Sequence, residues 1–330
     1  MNETQHSSEG QRKLITIIMP AYNEESNLPR AYEEVTDLFV KLLPSYDYEV
    51  LLIDNCSVDR TGEICQGICA KDSHWRYIRF SRNFSSEISI TAGLHYSRGD
   101  AVIILFSDLQ DPPEVIPQFV EKWKQGYDVV CGLLMRRDDG AWWKGVGAGI
   151  AYRLLRNFTD IHIPSNVTDY RLMARPVVNA INKLEERNRY FRGLAHWVGF
   201  KSTTVEYSRR PRTGGKSNAP FWYLLDFTAR ALTSFSIVPL RAFFLFGLGI
   251  MGCTCVYAAV TAMLWLWGET VPGLTTIYLL LFAILGVLSL GIGTLGEYIG
   301  RIYIETKRRP LWIVADSRNI AMPAEQFYGD

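Results

Sequence analysis

Neither sign of charge prevails in this chain. Its 330 residues hold 35 Lys and Arg against 34 Asp and Glu, a net charge of +1. That balance gives no bulk attraction for a polyanion, so nucleic acid is not an expected partner. Metal-binding cysteine spacing is missing as well. Cys56, Cys65, Cys69, Cys131, Cys253 and Cys255 form no C-x-x-C pair, and no histidine is spaced to complete a zinc site. Buried free thiols in a reducing compartment are the expectation. Glycine-rich phosphate loops are also absent. Neither G-x-x-x-x-G-K nor G-x-G-x-x-G follows the first predicted strand, which excludes a P-loop enzyme and a dinucleotide-binding dehydrogenase. Residues 1–13 have no signal-peptide pattern and read as a polar tail.

Charge disappears altogether from two stretches, 242–267 and 270–296. Each exceeds the roughly 20 apolar residues that cross a bilayer. The short turn Gly268–Gly273 between them predicts a two-helix transmembrane hairpin, spanning 237–301 with its flanks. Arg230 and Arg241 precede it and Arg301, Lys307, Arg308 and Arg309 follow, whereas the turn carries only Glu269. The positive-inside rule then places both termini in the cytoplasm of a multi-pass protein of the cell's inner membrane. Before the hairpin, residues 219–236 carry Asp226, Arg230 and Ser234 at four-residue spacing among Phe221, Leu224, Leu225, Leu232 and Phe235. This pattern predicts an amphipathic helix in the headgroup plane. Gly286, Gly291, Gly293 and Gly296 would suit lateral packing into a homo-oligomer.

What remains, 14–218, reads as alternating strands and helices. Leu14–Met19, Tyr48–Ile53, Tyr77–Phe80 and Ala101–Phe106 are short apolar runs, the pattern of strands buried on both faces of a mostly parallel sheet. Helices are predicted from a Ser26 cap to Leu43, from an Asp59 cap to Ala70, from Ser85 or Ser86 to Tyr96, and from Glu114 to Gln125. The β-α-β-α order implies an α/β sheet with helices on both faces. Such sheets bind ligands at the carboxyl ends of their strands. Those ends here deliver Pro20–Glu24, Asp54–Asp59, Ser81–Phe84 and Ser107–Asp111, and three of the four are acidic. Acids repel phosphate, but they can accept hydrogen bonds from ribose and base, or hold a divalent cation that bridges to a diphosphate.

These same segments resemble the family 2 glycosyltransferases with the GT-A fold, a Rossmann-like architecture. The motifs are PAYNEE at 20–25, DNCSVDRT at 54–61, SRNF at 81–84 and SDLQDPPE at 107–114, with TDYRLMAR at 168–175, RGL at 192–194 and RTGGKS at 212–217. The hairpin and RPLWIV at 309–314 narrow the resemblance to polyprenyl-phosphate glycosyltransferases, and most to undecaprenyl-phosphate glucosyltransferases of the GtrB type. The resemblance implies a cytoplasmic catalytic domain at 14–218 and a cytoplasmic C-terminal segment at 302–330. It implies that Pro20, Ala21, Tyr22, Glu24, Asp54, Asn55, Ser107 and Asp108 bind the nucleotide sugar, and that Asp108 and Gln110 approach a Mg²⁺ or Mn²⁺ ion. Asp169 stands where the family has an acid beside the reacting centre, and Arg212 and Ser217 where it meets the acceptor phosphate. Asp108, Asp169 and Arg212 are the expected catalytic set. The implied reaction is inverting transfer of a sugar, glucose from UDP-glucose first, to undecaprenyl phosphate for envelope or lipopolysaccharide modification. Other donors (a UDP-aminoarabinose derivative, UDP-GlcNAc, GDP-mannose) and a non-catalytic protein that retains the fold are the alternatives.

Three positions depart from the family pattern. Phe106 stands where an acid of the metal motif is usual, Asn55 replaces a second acid, and Ala219 replaces an aromatic residue. The nucleophile is a phosphate monoester whose second pKa is about 6, so a strong general base is not obligatory. Arg209, Arg210, Arg212 and Lys216 form a basic cluster suited to that dianion or to anionic lipid heads.

Overall fold

The computed structural model describes residues 12–135, 167–187, 189, 191–210 and 273–320, with single positions between 243 and 267. The chain divides into two compact units. The first carries one eight-stranded sheet in the order β7-β5-β6-β4-β1-β2-β3-β8. Its elements run β1 (Leu14–Ala21), α1 (Leu28–Leu42), β2 (Asp47–Asp54), α2 (Thr61–Lys71), β3 (Trp75–Phe80), α3 (Ser86–Tyr96) and β4 (Ala101–Ile104). After a 3-10 turn at Pro113–Val115 come α4 (Ile116–Lys124), β5 (Val129–Leu134), β6 (Val167–Ala174), α5 (Arg175–Asn182), α6 (Phe191–Trp197), β7 (Ser202–Tyr207) and, far along the chain, β8 (Val314–Arg318).

The strands are apolar on both faces because helices cover both. In β1, Ile15, Ile17 and Met19 enter one core with Leu28, Ala31, Val35 and Phe39 of α1. Ile18, between them, enters the other with Ile90 and Leu94 of α3 and Val177, Val178 and Ile181 of α5. The two-residue period of the strand divides its side chains between two cores. Gly93 lets α3 lie close on β1, since a Cβ there would stand 2.3 Å from Ile18 Cγ2.

The sheet is mixed and mostly parallel, as expected. β1-β2, β1-β4, β2-β3 and β5-β7 are parallel pairs. β3-β8, β4-β6 and β5-β6 are antiparallel. β6 and β8 alone run against the other six described strands. β4 is shorter than expected and ends at Ile104, although Leu105 N–H still donates to Ile18 O at 2.9 Å. The cap residues shift as well. Asn27, not Ser26, precedes α1, and Asp59 accepts the Thr61 N–H at 3.0 Å from a turn just before α2. The helix expected from Glu114 to Gln125 is divided between the 3-10 turn and α4.

Among the described cysteines none is in a disulfide. Cys65, Cys69 and Cys131 are buried, and burial pushes the Cys69 thiol up to about 12. Cys253 is exposed, against the expectation of burial.

In the second unit, α7 (Leu274–Thr306) runs 33 residues. Gly291 is buried against Phe243, whose ring would lie 2.3 Å from a Cβ at that glycine. Among the described residues, nothing lies within 4 Å of such a Cβ at Gly286, Gly293 or Gly296. Counting the described residues alone, no helix is long and apolar enough to cross a membrane. The predicted amphipathic helix at 219–236, the tail before residue 12, Arg212 and Ser217 lie outside the described residues.

Candidate active site

The parallel register sets the site. Ala21 pairs with Asp54, so the loops after β1 and β2 leave the sheet side by side. They are then tied by reciprocal hydrogen bonds. Asn23 N–H donates to Ser57 Oγ (3.0 Å) and Val58 N–H to Asn23 Oδ1 (3.0 Å). Glu24 N–H donates to Thr61 Oγ1 (2.8 Å), Glu25 N–H to Asp59 Oδ2 (3.2 Å), and Arg60 N–H to Glu25 Oε2 (3.0 Å). Asn23 holds φ at 57°, a left-handed conformation that Asn tolerates best after glycine. The polar residues of both motifs thus brace their own loops as well as facing outward.

Between these loops and the one after β4 lies an open cleft. Its walls bring together Pro20, Ala21, Tyr22, Glu24, Asn55, Ser107 and Asp108, all expected from sequence. They are joined by Phe106 and by Ser86 and Ser89 of α3, which sequence reading treated at most as helix caps. Tyr22 is 46% exposed and offers a ring face at the cleft. Ser107 Oγ donates to Pro20 O at 2.9 Å, locking the third loop to the first. Asp108 Oδ1 accepts the Gln110 N–H at 3.2 Å, and Leu109 between them takes φ 50°. Among the described residues that line the cleft are two carboxylates, Glu24 and Asp108, and no Lys or Arg.

Asp54 is placed differently. It is fully buried beneath the loop. Its carboxylate accepts Ser57 N–H (2.8 Å) and Tyr77 OH (3.1 Å) and lies 3.7 Å from Arg79 Nε. Burial and then the Asp54 charge push the Tyr77 hydroxyl far up, so it stays a donor. Asp54 thereby holds the turn from which its neighbour Asn55 lines the cleft. Asn55 in turn accepts the Phe84 N–H (2.8 Å) and donates to Asn83 Oδ1 (3.0 Å), fixing the loop after β3.

Asp169 lies on the flank. β4 and β6 are antiparallel, and their pairing ends with Ile104 opposite Arg171, two residues from Asp169. Arg192 of α6 grips the Asp169 carboxylate with both arms of its fork, Nε to Oδ1 at 2.8 Å and Nη2 to Oδ2 at 2.6 Å. Burial alone would raise the Asp169 pKa. The Arg192 charge and hydrogen bonds, with Arg171 and Arg209, outweigh it and hold the carboxyl below the usual range. Sequence reading missed this partner, which is 23 residues away along the chain.

Two members of the expected basic cluster are already engaged. Arg209 Nε donates to buried Asp111 at 2.8 Å, an acid that also takes the Tyr207 OH at 2.6 Å. Arg210 pairs with Glu34 at 2.7 Å and with Glu114, and its N–H donates to Gln110 O at 2.9 Å. These bonds anchor the chain leaving β7 to the Asp108 loop.

Among the described residues, no group of three His, Cys, Asp or Glu is arranged to hold a metal ion. The donors present are nevertheless hard oxygens. A Mg²⁺ ion commonly takes only one or two carboxylates and completes its shell with substrate phosphates and water. The cleft fits that partial role.

Comparison with known proteins agrees with this arrangement. Residues 16–181 match the family described as Glycosyl transferase family 2. An uncharacterized glycosyltransferase of Bacillus subtilis (strain 168) is 38% identical over 92% of this chain and 94% of its own. The bactoprenol glucosyl transferase of Shigella phage SfV is 38% identical over 92% of this chain and 99% of its own. A prophage bactoprenol glucosyl transferase homolog of Escherichia coli (strain K12) is 36% identical over 91% and 98%. Among solved structures, glucosyl-3-phosphoglycerate synthase from Mycobacterium tuberculosis, in complex with Mn²⁺, UDP-glucose and phosphoglyceric acid, covers 67% of this chain and 77% of its own. Its TM-score is 0.45 at 17% identity, and a likeness of that size carries no argument. By the family match and by relatives of full length, the chain belongs to glycosyl transferase family 2.

Proposed function

We propose that this chain moves glucose from UDP-glucose to undecaprenyl phosphate, on the cytoplasmic face of the inner membrane and with inversion at the sugar. The observation that carries the reading is the acidic cleft at the strand ends, in a chain matched along 92% of its length by a bactoprenol glucosyl transferase. Bactoprenol is a polyprenol, and its phosphate is the acceptor proposed here.

The cleft lining explains how a diphosphate enters. Glu24 and Asp108 put negative charge on the described wall that the diphosphate would meet. A divalent ion, Mg²⁺ or Mn²⁺, offsets that charge. Asp108 and Gln110 would hold it, and it would stabilise the charge gained by the leaving diphosphate. Tyr22 offers a stacking face for the base. Pro20, Ala21, Asn55 and Ser107 shape the wall against which the nucleotide lies, and Asp54 acts through its loop. The acceptor phosphate is largely dianionic at neutral pH and needs orientation more than deprotonation. Asp169, an anion fixed by Arg192, is proposed to orient the sugar hydroxyls, since its charge repels a dianionic phosphate. Arg212 and Ser217 are proposed to meet the same phosphate.

Membrane attachment is part of the proposal and rests on sequence. Residues 242–267 and 270–296 lack charge, and α7 extends through the second run. The layout proposed is a catalytic domain at 14–218, an amphipathic helix at 219–236, a hairpin at 237–301 and a cytoplasmic segment at 302–330. Gly286, Gly293 and Gly296 remain for packing between copies.

The test is turnover of full-length protein with undecaprenyl phosphate and a panel of nucleotide sugars, reading product mass and anomeric configuration. A β-linked hexose lipid from UDP-glucose is expected. Product from another donor alone would reassign the sugar. An α-linked product would remove the single-displacement mechanism, and no product from any donor would point to a non-catalytic protein.

A further inference from the structure

The chain that leaves α7 reaches the donor cleft from behind. Arg308 takes φ 48° just after the helix, Pro310 follows, and the chain then enters β8 at Val314. A left-handed residue and a nearby proline are ordinary helix stops. From there residues 312–319 run along the full length of β3. At the amino end of β3, away from the cleft, Asn319 Nδ2 donates to Trp75 O (2.8 Å) and Cys69 O (2.9 Å). These bonds hold the edge strand in place.

At the other end the contacts lead to the cleft by two routes. Ser81 N–H donates to Ile313 O at 3.0 Å, so the first residue of the loop after β3 is pinned from β8. Cys56 Sγ donates to Ser81 O at 3.7 Å, which holds the same residue from the opposite side. That loop fixes the cleft residue Asn55, since Asn83 Oδ1 accepts Asn55 Nδ2 and Phe84 N–H donates to Asn55 Oδ1. The second route runs through Trp312. Its indole lies edge-on to His95, at 5.6 Å between ring centroids, and to Tyr96, at 6.2 Å. Its Nε1–H donates to Tyr96 OH at 3.5 Å. Both rings belong to the last turn of α3, and the first turn of the same helix brings Ser86 and Ser89 to the cleft wall. A helix moves as a stiff unit, so a shift at one end reaches the other.

We propose that Trp312 and the Ile313 peptide are positioning residues of the donor cleft, and that the segment leaving α7 sets how well the cleft takes the nucleotide sugar. The inference rests on the nucleotide-sugar reading of that cleft and adds a remote determinant of donor affinity to it. Neither residue is among the described residues that line the cleft, so both act through Asn55 and α3. A misplacement of about 1 Å from a change far from the chemistry can cost up to about 10²-fold, and a fraction of that is expected here.

The experiment uses the full chain in detergent and compares Trp312→Ala, Trp312→Phe and Asn319→Ala. It reads unfolding temperature, UDP affinity with Mn²⁺ by calorimetry, and KM for UDP-glucose and for undecaprenyl phosphate. Trp312→Ala should weaken UDP binding and raise the donor KM by about fivefold or more, with the acceptor KM changed by less than about twofold. Trp312→Phe keeps a ring against α3 and should recover most of the loss. Asn319→Ala lies on the same segment and should lower the unfolding temperature while leaving UDP affinity and both KM values near wild type. Wild-type UDP affinity in Trp312→Ala overturns the inference and leaves the glucosyl transfer reading standing. A loss of UDP affinity that Asn319→Ala reproduces overturns it too, since general loosening of the sheet edge then explains the effect. Should Trp312→Ala fail to fold, Trp312→Leu takes its place beside Trp312→Phe. A loss of UDP affinity larger in Leu than in Phe supports the inference, and wild-type affinity in both overturns it. A wild type that loses UDP affinity through Trp312→Ala, and yet turns over no polyprenyl phosphate, supports the positioning role while sinking the proposed reaction.

Discussion

The two edges of the sheet both carry acids, and they treat them in opposite ways. At the amino edge, Glu49 is 2% exposed and saturated with donors. It accepts Thr16 Oγ1 (2.7 Å), Arg98 N–H (2.8 Å), Arg76 Nη1 (2.7 Å) and Arg98 Nε (2.9 Å). At the carboxyl edge, Asp108 and Glu24 share a cleft wall whose described lining holds no arginine or lysine. A carboxylate surrounded by cations is part of the fold and has no capacity left for a ligand. A carboxylate in a cleft without cations favours a metal ion and, through it, a diphosphate. The comparison teaches that an acid's role follows from the charge around it.

The largest effect should come from breaking the amino edge. Glu49→Gln leaves Arg76 buried without its counter-charge, and losing one partner of such a pair costs about 3–5 kcal/mol. The expected outcome is a marked fall in the unfolding temperature of the full chain in detergent, with the acceptor and donor KM of the surviving folded protein unchanged. The same group sets an acid limit. Burial raises the Glu49 pKa, but the bonds from Thr16 and Arg98 and the Arg76 charge outweigh it, and the folded value is lowered. Its stabilisation is therefore complete above the unfolded value of about 4.3 and is lost as pH falls through the lower folded value. The unfolding temperature of wild type should drop across that acid window, and that of Glu49→Gln should drop less.

The matching change at the carboxyl edge should spare stability and remove activity. Asp108→Asn is expected to cut transfer by about 10²–10³-fold, the scale seen when one preorganised electrostatic contact is lost. Unfolding temperature should stay near wild type, and Mn²⁺-dependent UDP binding by calorimetry should weaken. A large loss of stability in Asp108→Asn would erase the distinction between the edges.

Smaller effects sharpen it. Arg212→Ala should weaken use of the lipid phosphate by about 1.5–3 kcal/mol, the worth of a charge-assisted bond, with less effect on UDP. Equal loss of UDP affinity would move Arg212 to the donor side. Phe106→Asp adds an oxygen ligand to the cleft wall and should tighten Mn²⁺ binding roughly tenfold, since ligand charge count tunes the affinity of hard cations. Mn²⁺ titration with and without UDP reads this, and an unchanged affinity would place residue 106 out of the ion's reach.

Much of the fold was legible because its signals are local. The first four strands are apolar runs ended by polar loops, and α1 shows its buried face at Leu28, Ala31, Val35 and Leu38. The later strands gave weaker signals. β5 is short and contains Gly132, and β8, with the sequence VADSR, has no apolar pattern at all. β8 is an edge strand held by its neighbour, with Ser81 N–H bonded to Ile313 O just before it and Asn319 Nδ2 to Cys69 O and Trp75 O just after. Their direction was equally hidden, so the reversal of β6 and β8 within a mostly parallel sheet was not foreseen. Within the site, Ser86 read only as a candidate helix start and Ser89 as an ordinary helix residue, because nothing nearby in sequence marks the cleft they line.

By itself the sequence determined which strand ends would carry acids, where charge vanishes for the length of a bilayer, and which motif segments lie together at one edge. Those features depend on residue type and on the two-residue or 3.6-residue period, both readable within a short window. Only the tertiary structure decided the state of each acid. Asp54 is capped by Tyr77, Asp111 by Tyr207 and Arg209, and Asp169 by Arg192, while Asp108 faces the cleft. Those partners come from 23 to 98 residues away along the chain. Hydrogen bonds act over about 3 Å, and close ion pairs over little more, so sheet register and helix packing determine which groups meet.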